Sequence, residues 1–294
     1  MSAPFRNNRY SILLIGTMGR RVEMHHQDAF SLASADLSLR IDRLGARIRS
    51  IRHLPSSVEL LAQDGAADPS AAPRTEIGWA QRFAGGWNVL LPHAGEERHV
   101  DGVHHEFHGE AARRNWTVER SEGTTFRASL VLRTVPFALV RTIALDDEAL
   151  VVSQRVQNLS DAVHRFAWVE HPAFAGRLFD RVPSVTVGTT RIAVAALGGS
   201  GFSSAPVDSG GIRIAVEPLG GVLELTWDPS VLPHAHVWQE RRGSAKAPWF
   251  GRVDSVALEP ASHPPGAPPA GLGPLVLHAG ATVESSLTLR VLRG

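Results

Sequence analysis

The sequence predicts an all-β protein, a large antiparallel β-sandwich. Apolar and polar residues alternate with a period of two in many short segments, which is the pattern of half-buried strands. The 27 glycines and 19 prolines interrupt these segments at short intervals. No segment carries a sustained helical stripe of apolar residues, apart from a short helical turn predicted near Leu60. A chain with many strands and few helices buries its apolar faces by packing one sheet on another.

The clearest pattern is a hairpin within residues 128–158. Every second residue of segment 137–143 lies on one face, and segment 150–156 repeats the arrangement. Asp146 and Asp147 separate the two runs and predict a turn, so the pair forms an antiparallel hairpin. Further strands are predicted at Leu37–Ile41, Ile212–Val216, Val222–Thr226, His236–Gln239, Ser255–Leu258 and Ser286–Val291.

The predicted domain organisation is one domain at residues 31–294, preceded by an irregular N-terminal lead-in at residues 1–30. Segment 63–74 is a loop rich in alanine, aspartate and proline, and segment 262–274 is rich in proline and glycine. Central strands do not tolerate such proline content, and neither loop is long enough to divide the chain.

Composition excludes several classes of function. The chain has no cysteine, which excludes disulfides, thiolate nucleophiles and cysteine-ligated metals. Its net charge of +1 argues against nucleic acid as a partner. No apolar run is long enough to span a membrane, and Ser11–Gly16 is too short for the core of a signal peptide. We therefore expect a cytoplasmic protein that is a monomer or a weak homodimer, with a small molecule as its ligand.

Segment 85–96 is the first candidate site. It combines Gly85 and Gly86 with Trp87 and several ionisable groups, which suits the floor of a cleft. The alternative interpretation, favoured by residue types alone, is a buried strand between two turns.

A histidine-rich segment follows. On a strand, His104, Glu106 and His108 share one face, and together with His105 they form a candidate site for a divalent metal. The alternative is that His108 acts as a lone imidazole, because the following Gly109 lets a ligand or backbone approach closely.

Two further candidates are single ionisable residues placed before prolines. Pro172 cannot donate to a strand ladder, so we expect the strand to end there and to leave His171 at a strand end facing a cleft. Glu259 lies at the end of an apolar strand before Pro260, where a carboxylate is a candidate general base. A structural histidine and a surface glutamate are the alternatives.

Taken together, these segments resemble the aldose 1-epimerase (galactose mutarotase) family. The resemblance covers roughly residues 35–292 and is carried by four ordered landmarks. These are His108-Gly109 with the following Arg113, Asn115 and Trp116, the hairpin closing at Gln157-Asn158, His171-Pro172-Ala173-Phe174, and Glu259-Pro260.

The resemblance implies a β-sandwich with an open carbohydrate cleft and a set of roles. It makes His171 the general acid that protonates the ring oxygen of a pyranose and Glu259 the general base at the anomeric hydroxyl. His108 binds the sugar near the ring oxygen. This acid–base chemistry requires no cofactor and no metal.

Sugar-binding residues are less well defined. The arginine that many family members carry shortly before the His-Gly motif is absent, and Arg82 is the candidate replacement. The family's substrate-binding aspartate has three unranked candidates, Asp180, Asp208 and Asp228. Because pyranose faces pack on aromatic rings, Trp87 and Trp238 are the predicted platforms.

Three hypotheses follow from the sequence. The leading one is a mutarotase acting on a hexose or related sugar. The second is a carbohydrate-binding member of the same fold that is non-catalytic or specific for a sugar phosphate. The third is a metal-dependent enzyme that uses the histidine-rich segment.

Overall fold

The computed structural model describes residues 29–68, 71, 73–146, 148–266 and 271–294. Over these residues the chain is almost entirely β. The strands are β1 Ala29–Ala33, β2 Leu37–Asp42, β3 Ile48–His53, β4 Val58–Glu59, β5 Gly86–Leu90, β6 Arg98–Val100, β7 Val103–His105, β8 Thr117–Glu122, β9 Thr125–Val131, β10 Phe137–Asp146, β11 Ala149–Asn158, β12 His164–Phe166, β13 Val169–Ala175, β14 Ser184–Val187, β15 Thr190–Ala193, β16 Ser200–Pro206, β17 Gly211–Val216, β18 Gly221–Trp227, β19 His234–Arg241, β20 Asp254–Ala261, β21 Leu275–Leu277 and β22 Thr282–Arg293. The helices of this part of the chain are α1, Glu76–Arg82, and the 3₁₀ turns Ala111–Arg113, Gly176–Phe179 and Glu217–Leu219.

Two large antiparallel sheets enclose the core, as the sequence predicts. The first sheet has the order β1-β2-β3-β5-β13-β20-β19-β16, with β4 paired to β3. The second has the order β17-β18-β22-β11-β10-β9-β8. Apolar side chains of both sheets form one buried cluster, which includes Ile48 and Leu258 from the first sheet and Leu139 and Leu287 from the second.

The predicted hairpin is confirmed as β10 and β11. Its register runs from Phe137 opposite Asn158 to Asp146 opposite Ala149. Buried and partly exposed residues alternate along β10, because one face packs on the core and the other faces outward. The other predicted strands are confirmed as well.

The central strands of the first sheet are buried on both faces. Every residue of β5 and β13 is buried, and so are seven of the eight residues of β20. The prediction that strands end beside Pro172 and Pro260 is wrong, since β13 and β20 continue through these residues. Proline accepts the extended backbone of a strand and removes only one N–H donor.

One helix escapes the sequence pattern. Helix α1 begins after Thr75, whose Oγ1 accepts a hydrogen bond from the backbone N–H of Gly78 at 3.1 Å. Seven residues are too few for a clear apolar stripe, although Thr75 is a favourable N-cap residue. The turn expected near Leu60 lies at residues 54–57, where the N–H of Ser57 donates to the carbonyl of Leu54, whereas Leu60 itself lies in extended chain and donates its N–H to the carbonyl of Ile51.

The predicted lead-in at residues 1–30 falls largely outside the described residues. Its last two residues, Ala29 and Phe30, belong to strand β1, which pairs with β2. Among the described residues, the helices are all too short or too polar to cross a membrane.

Candidate active site

A row of four polar side chains crosses the middle of the first sheet. His171 on β13 lies opposite Asn88 on β5, and His236 on β19 lies opposite Glu259 on β20. Directly opposed residues of antiparallel strands share one face, with Cβ atoms about 5 Å apart. A contact of 3.4 Å between His171 Nε2 and Glu259 Oε1 joins the two halves of the row. The structure thus brings together the two residues that the sequence marks as acid and base.

The four side chains of this row are nearly buried, each with 5–6% of its surface exposed. His236 Nε2 lies 2.8 Å from the backbone carbonyl of His263 and donates to it, so the neutral ring offers Nδ1 as an acceptor. A row of polar groups within apolar surroundings is the usual arrangement of a site that orients a small polar ligand.

His108 approaches the row from a loop. Its ring centroid lies 6.5 Å from that of His171. The Nδ1 atom accepts the backbone N–H of Gly95 at 2.9 Å, so the hydrogen of the neutral ring is on Nε2. Burial lowers the pKa of His108 well below its usual value, and the nearby His171 and His93 lower it further. His108 is therefore a neutral imidazole with an N–H donor.

The turn that carries His108 depends on glycine. His108 has a φ of 62° and Gly109 a φ of 72°. A Cβ atom at Gly109 would lie 2.5 Å from the carbonyl oxygen of Leu91. Only glycine fits this close approach at a positive φ, so the predicted importance of Gly109 has a steric basis.

Aromatic rings form one wall beside His171. Ring centroids of Phe83 and Trp238 lie 6.4 and 6.0 Å from that of His171. Trp249 packs against both, at 6.2 Å from Phe83 and 5.9 Å from Trp238. These rings pack with Ala173 and Ala257 in one small apolar cluster. Trp238 is partly exposed here, as a platform requires.

Arg82 lies at the last position of α1 and is partly buried. It lines a small cleft together with Trp79, Phe83 and Asn88. Phe83 packs near His171 and Asn88 lies opposite it. Arg82 therefore borders the row, and its contact with a ligand stays a prediction.

The prediction that Trp87 is a sugar platform is wrong. Its side chain is completely buried in the core, where Nε1 donates to Glu170 Oε2 at 2.7 Å. Neighbouring residues of a strand point to opposite faces, so Asn88 faces the row while Trp87 faces the core. The interpretation of this segment as a buried strand between turns is confirmed, and Asn88 is its contribution to the site.

The predicted metal-binding triple does not form. Strand β7 ends at His105, so Glu106 leaves the strand and pairs with Arg113. His104 instead lies 3.5 Å from Glu97 at the surface. Within the described parts of the chain, no group of three or more histidine, aspartate or glutamate side chains is placed to hold a metal ion.

The three candidate aspartates have other surroundings. Asp180 accepts a hydrogen bond from Arg241 at 2.6 Å. Asp228 accepts the backbone N–H of Ser230 at 2.8 Å. Asp208 is exposed in the turn between β16 and β17. Of the residues that the structure describes, it is instead His236 that flanks Glu259 on the side away from His171.

Sequence reasoning missed Asn88 and His236. Each lies in a segment that the sequence had already marked as strand or cleft. The missing information is the register between strands, since it decides which residue of β5 lies opposite His171 and which residue of β19 lies opposite Glu259.

No protein-family model and no curated protein matches this sequence. Solved structures match over most of its length. A protein from Synechocystis sp. PCC 6803 superposes with a TM-score of 0.72 at 16% identity, covering 90% of this chain and 96% of that one. A galactose mutarotase related enzyme from Lactobacillus acidophilus gives 0.66 at 16% identity, over 90% and 97%. The GalM/aldose epimerase homologue from C. elegans gives 0.61 at 15% identity, over 90% and 98%.

At such low identity these matches establish the fold. The chain has the β-sandwich fold of galactose mutarotase-like proteins, as its sequence motifs imply.

Proposed function

We propose that this protein is a mutarotase of the aldose 1-epimerase type, which interconverts the α and β anomers of a hexose or related sugar. The observation that carries the proposal is the pairing of His171 with Glu259 at 3.4 Å in a row of polar side chains beside an aromatic wall. The two oxygens that exchange protons in mutarotation are bonded to the same sugar carbon. Two adjacent side chains are therefore able to reach both.

In the proposed ring opening, His171 and Glu259 act together. Glu259 accepts the proton of the anomeric hydroxyl, and the O–H electrons form the carbonyl of the aldehyde. The bond between the anomeric carbon and the ring oxygen breaks, and the ring oxygen takes the proton of His171. Each residue thereby becomes neutral, the imidazolium by losing a proton and the carboxylate by gaining one, and no oxidant or reductant is required.

Ring closure reverses these transfers after the aldehyde has turned. Rotation about the bond between C1 and C2 presents the other face of the carbonyl to the hydroxyl formed from the ring oxygen. His171 takes back the hydroxyl proton and Glu259 returns its own to the carbonyl oxygen. The product is the opposite anomer, and both side chains regain their starting protonation.

The remaining residues of the site hold the sugar in this proposal. The Nε2–H of His108 donates to the region of the ring oxygen. Trp238 packs on the C–H face of the pyranose. Asn88, His236 and Arg82 bind hydroxyl groups.

The aligned acid and base favour an enzyme over a non-catalytic binding protein. A protein that only binds a sugar needs hydrogen-bond partners and aromatic surface, but it has no need of a carboxylate in contact with an imidazole. The alternative of a non-catalytic or sugar-phosphate-specific protein is therefore an outcome of the test.

The test is polarimetry on freshly dissolved α-glucose and α-galactose, with and without the protein. We expect a faster approach to anomeric equilibrium, and a loss of about a hundredfold or more in kcat for Glu259→Gln. Glu224→Gln, which removes a buried carboxylate from the second sheet, is the matched control and keeps full activity. Retention of activity in Glu259→Gln contradicts the proposed base.

A second measurement separates the alternatives if neither sugar is turned over. Saturation-transfer NMR with the same sugars and with glucose 6-phosphate detects binding. Binding without turnover of any of them supports the non-catalytic protein, and turnover of the phosphate alone supports the sugar-phosphate enzyme.

A further inference from the structure

A fully buried ion pair lies directly beneath the candidate active site. Arg141 on β10 and Glu170 on β13 both have 0% side-chain exposure. Arg141 Nη1 donates to Glu170 Oε1 at 2.9 Å and Nη2 donates to Oε2 at 3.0 Å. Strand β10 belongs to the second sheet and β13 to the first, so this two-pronged contact joins the two sheets through the core.

The carboxylate of this pair is held by two more donors. Trp87 Nε1 donates to Oε2 of Glu170 at 2.7 Å, and Trp168 Nε1 donates to Oε1 at 3.1 Å. Trp87 lies on β5, and Trp168 immediately precedes β13. Four hydrogen bonds from three side chains therefore fix the position of the Glu170 carboxylate. The bond from Trp87 also connects Glu170 to the neighbouring strand β5.

The ion pair lies next to the proposed acid along the chain. Glu170 immediately precedes His171, and neighbouring strand residues point to opposite faces. Glu170 therefore points into the core where His171 faces Glu259. A shift or rotation of this part of β13 would move the imidazole and the buried carboxylate together.

On the side of β20 the backbone ladder of β13 is interrupted at this point, whereas the ladder with β5 is continuous from Val169 opposite Leu90 to Ala173 opposite Gly86. Paired residues of β13 and β20 are Val169 with Ala261 and then Ala173 with Ala257, with no pairing between them. This gap contains His171 and Glu259 themselves. It also contains Pro172 and Pro260, which have no N–H to donate to the ladder. Two central strands are thus joined less strongly at the position where the proposed acid and base meet.

We propose that the Arg141–Glu170 pair is a positioning device for His171. Where the ladder with β20 is interrupted, the pair and its two tryptophans hold β13 from the core side and add to the continuous ladder with β5, so that His171 Nε2 faces Glu259. The inference rests on the proposed function for its kinetic test and stands without it for its structural test.

Stability alone gives a weaker account of the pair. Replacing a buried ion pair with apolar side chains of similar size is often neutral or stabilising, because the cost of dehydrating two charges is removed. Such a replacement loses the directional hydrogen bonds that fix the position of β13. The experiment must therefore separate folding from the placement of His171.

The principal variant is the double substitution Arg141→Met and Glu170→Met. It removes the Arg141–Glu170 pair without leaving a charge unpaired. The indole N–H groups of Trp87 and Trp168 lose their acceptor, so we expect some loss of stability. We expect a folded protein whose kcat is lowered by about a hundredfold with little change in KM, because the acid is misplaced while the sugar contacts remain. The histidine ring signals in a ¹⁵N–¹H NMR spectrum, assigned through His171→Gln, should show a displaced or split signal for His171.

A matched control uses a second buried arginine. Arg241 has 2% side-chain exposure and pairs with Asp254 on the neighbouring strand and with the exposed Asp180, outside the row. The double substitution Arg241→Met and Asp254→Leu should leave kcat and the His171 signal unchanged at equal stability. Should the first double variant not fold, Arg141→Lys keeps the charge but loses the two-pronged contact, and the same loss of kcat is expected.

Each result is decisive. An unaltered His171 signal together with an unaltered kcat overturns the positioning role, and so does an equal loss of kcat in both double variants. If the wild-type protein does not turn over any sugar, the proposed function fails, and the His171 signal alone decides whether the Arg141–Glu170 pair positions the side chain.

Discussion

His108 and His171 are neighbouring imidazoles in different settings. Their ring centroids lie 6.5 Å apart. His108 accepts a backbone N–H through Nδ1 and is kept neutral by burial, whereas His171 faces the carboxylate of Glu259. Titratable groups in contrasting environments are the usual basis for dividing roles within an active site. His108 is thereby suited to donate a hydrogen bond as a neutral ring, whereas His171 is the proton donor to the sugar in the proposed function.

The first prediction concerns His108. The substitution His108→Ala removes the proposed donor at the ring oxygen, and we expect kcat/KM to fall by about a hundredfold. His108→Gln restores an N–H donor and should recover part of the loss. Polarimetric rates over a range of sugar concentrations measure both effects. Unchanged kcat/KM in the alanine variant contradicts the assigned role.

The second prediction separates two tryptophans. Trp238 is partly exposed beside His171, whereas Trp87 is buried in the core and donates a hydrogen bond to Glu170. Trp238→Ala should raise KM several-fold, and it also lowers the free energy of unfolding because the lost ring packs on Phe83 and Trp249. Trp87→Phe should leave KM nearly unchanged. It should lower the free energy of unfolding by about 1–3 kcal/mol, because one donor to the buried carboxylate is lost. Urea unfolding and KM measurements on both variants provide the comparison, and a reversed pattern contradicts the assignment.

The third prediction concerns acid stability. Burial lowers the pKa of His93 to about 3, helped by the charge of Arg98, and that of His263 to about 4, helped by His236. Both side chains are almost fully buried. In the unfolded chain histidine takes up a proton below a pH of about 6.5. The folded protein binds these protons only at lower pH, so the free energy of unfolding falls as the pH decreases from about 6.5 to the folded values.

The expected loss at pH 5 is about 1–2 kcal/mol per histidine relative to pH 7.5. Urea unfolding at the two pH values measures it. His93→Leu should reduce the difference, and His104→Gln, which replaces an exposed histidine, should not. Equal stability of the wild-type protein at both pH values contradicts the prediction.

The fourth prediction concerns the turn at Gly109. Gly109→Ala places a Cβ 2.5 Å from a backbone oxygen at a φ of 72°, and displacement of the preceding His108 should follow. We expect both a lower melting temperature and a loss of mutarotase activity. Gly102 has a φ of 77° with open space around it, so Gly102→Ala carries only the backbone strain of about 1 kcal/mol. Normal activity in Gly109→Ala contradicts the steric argument.

The strands, and the pair of residues proposed as acid and base, were predictable from the sequence for local reasons. Because apolar residues alternate strictly along residues 137–146, only an extended strand buries all of them on one face. The structure has this strand as β10, paired with β11 in the predicted hairpin. His171 and Glu259 were identified by their motifs, because each motif is short and contiguous. Helix α1 was missed, since its seven residues carry no clear stripe and only the N-cap Thr75 marks its start.

Only the tertiary structure decides which residues meet. Trp87 and Asn88 are adjacent in sequence, yet the pleat sends one to the core and the other to the site, and no local pattern distinguishes the two faces of a strand buried on both sides. The opposition of His236 to Glu259 and the contact of Arg141 with Glu170 depend on strand register and on how the sheets pack. Those relationships join residues far apart in the chain, so the sequence by itself determines the strands and the reactive groups, whereas packing determines their partners.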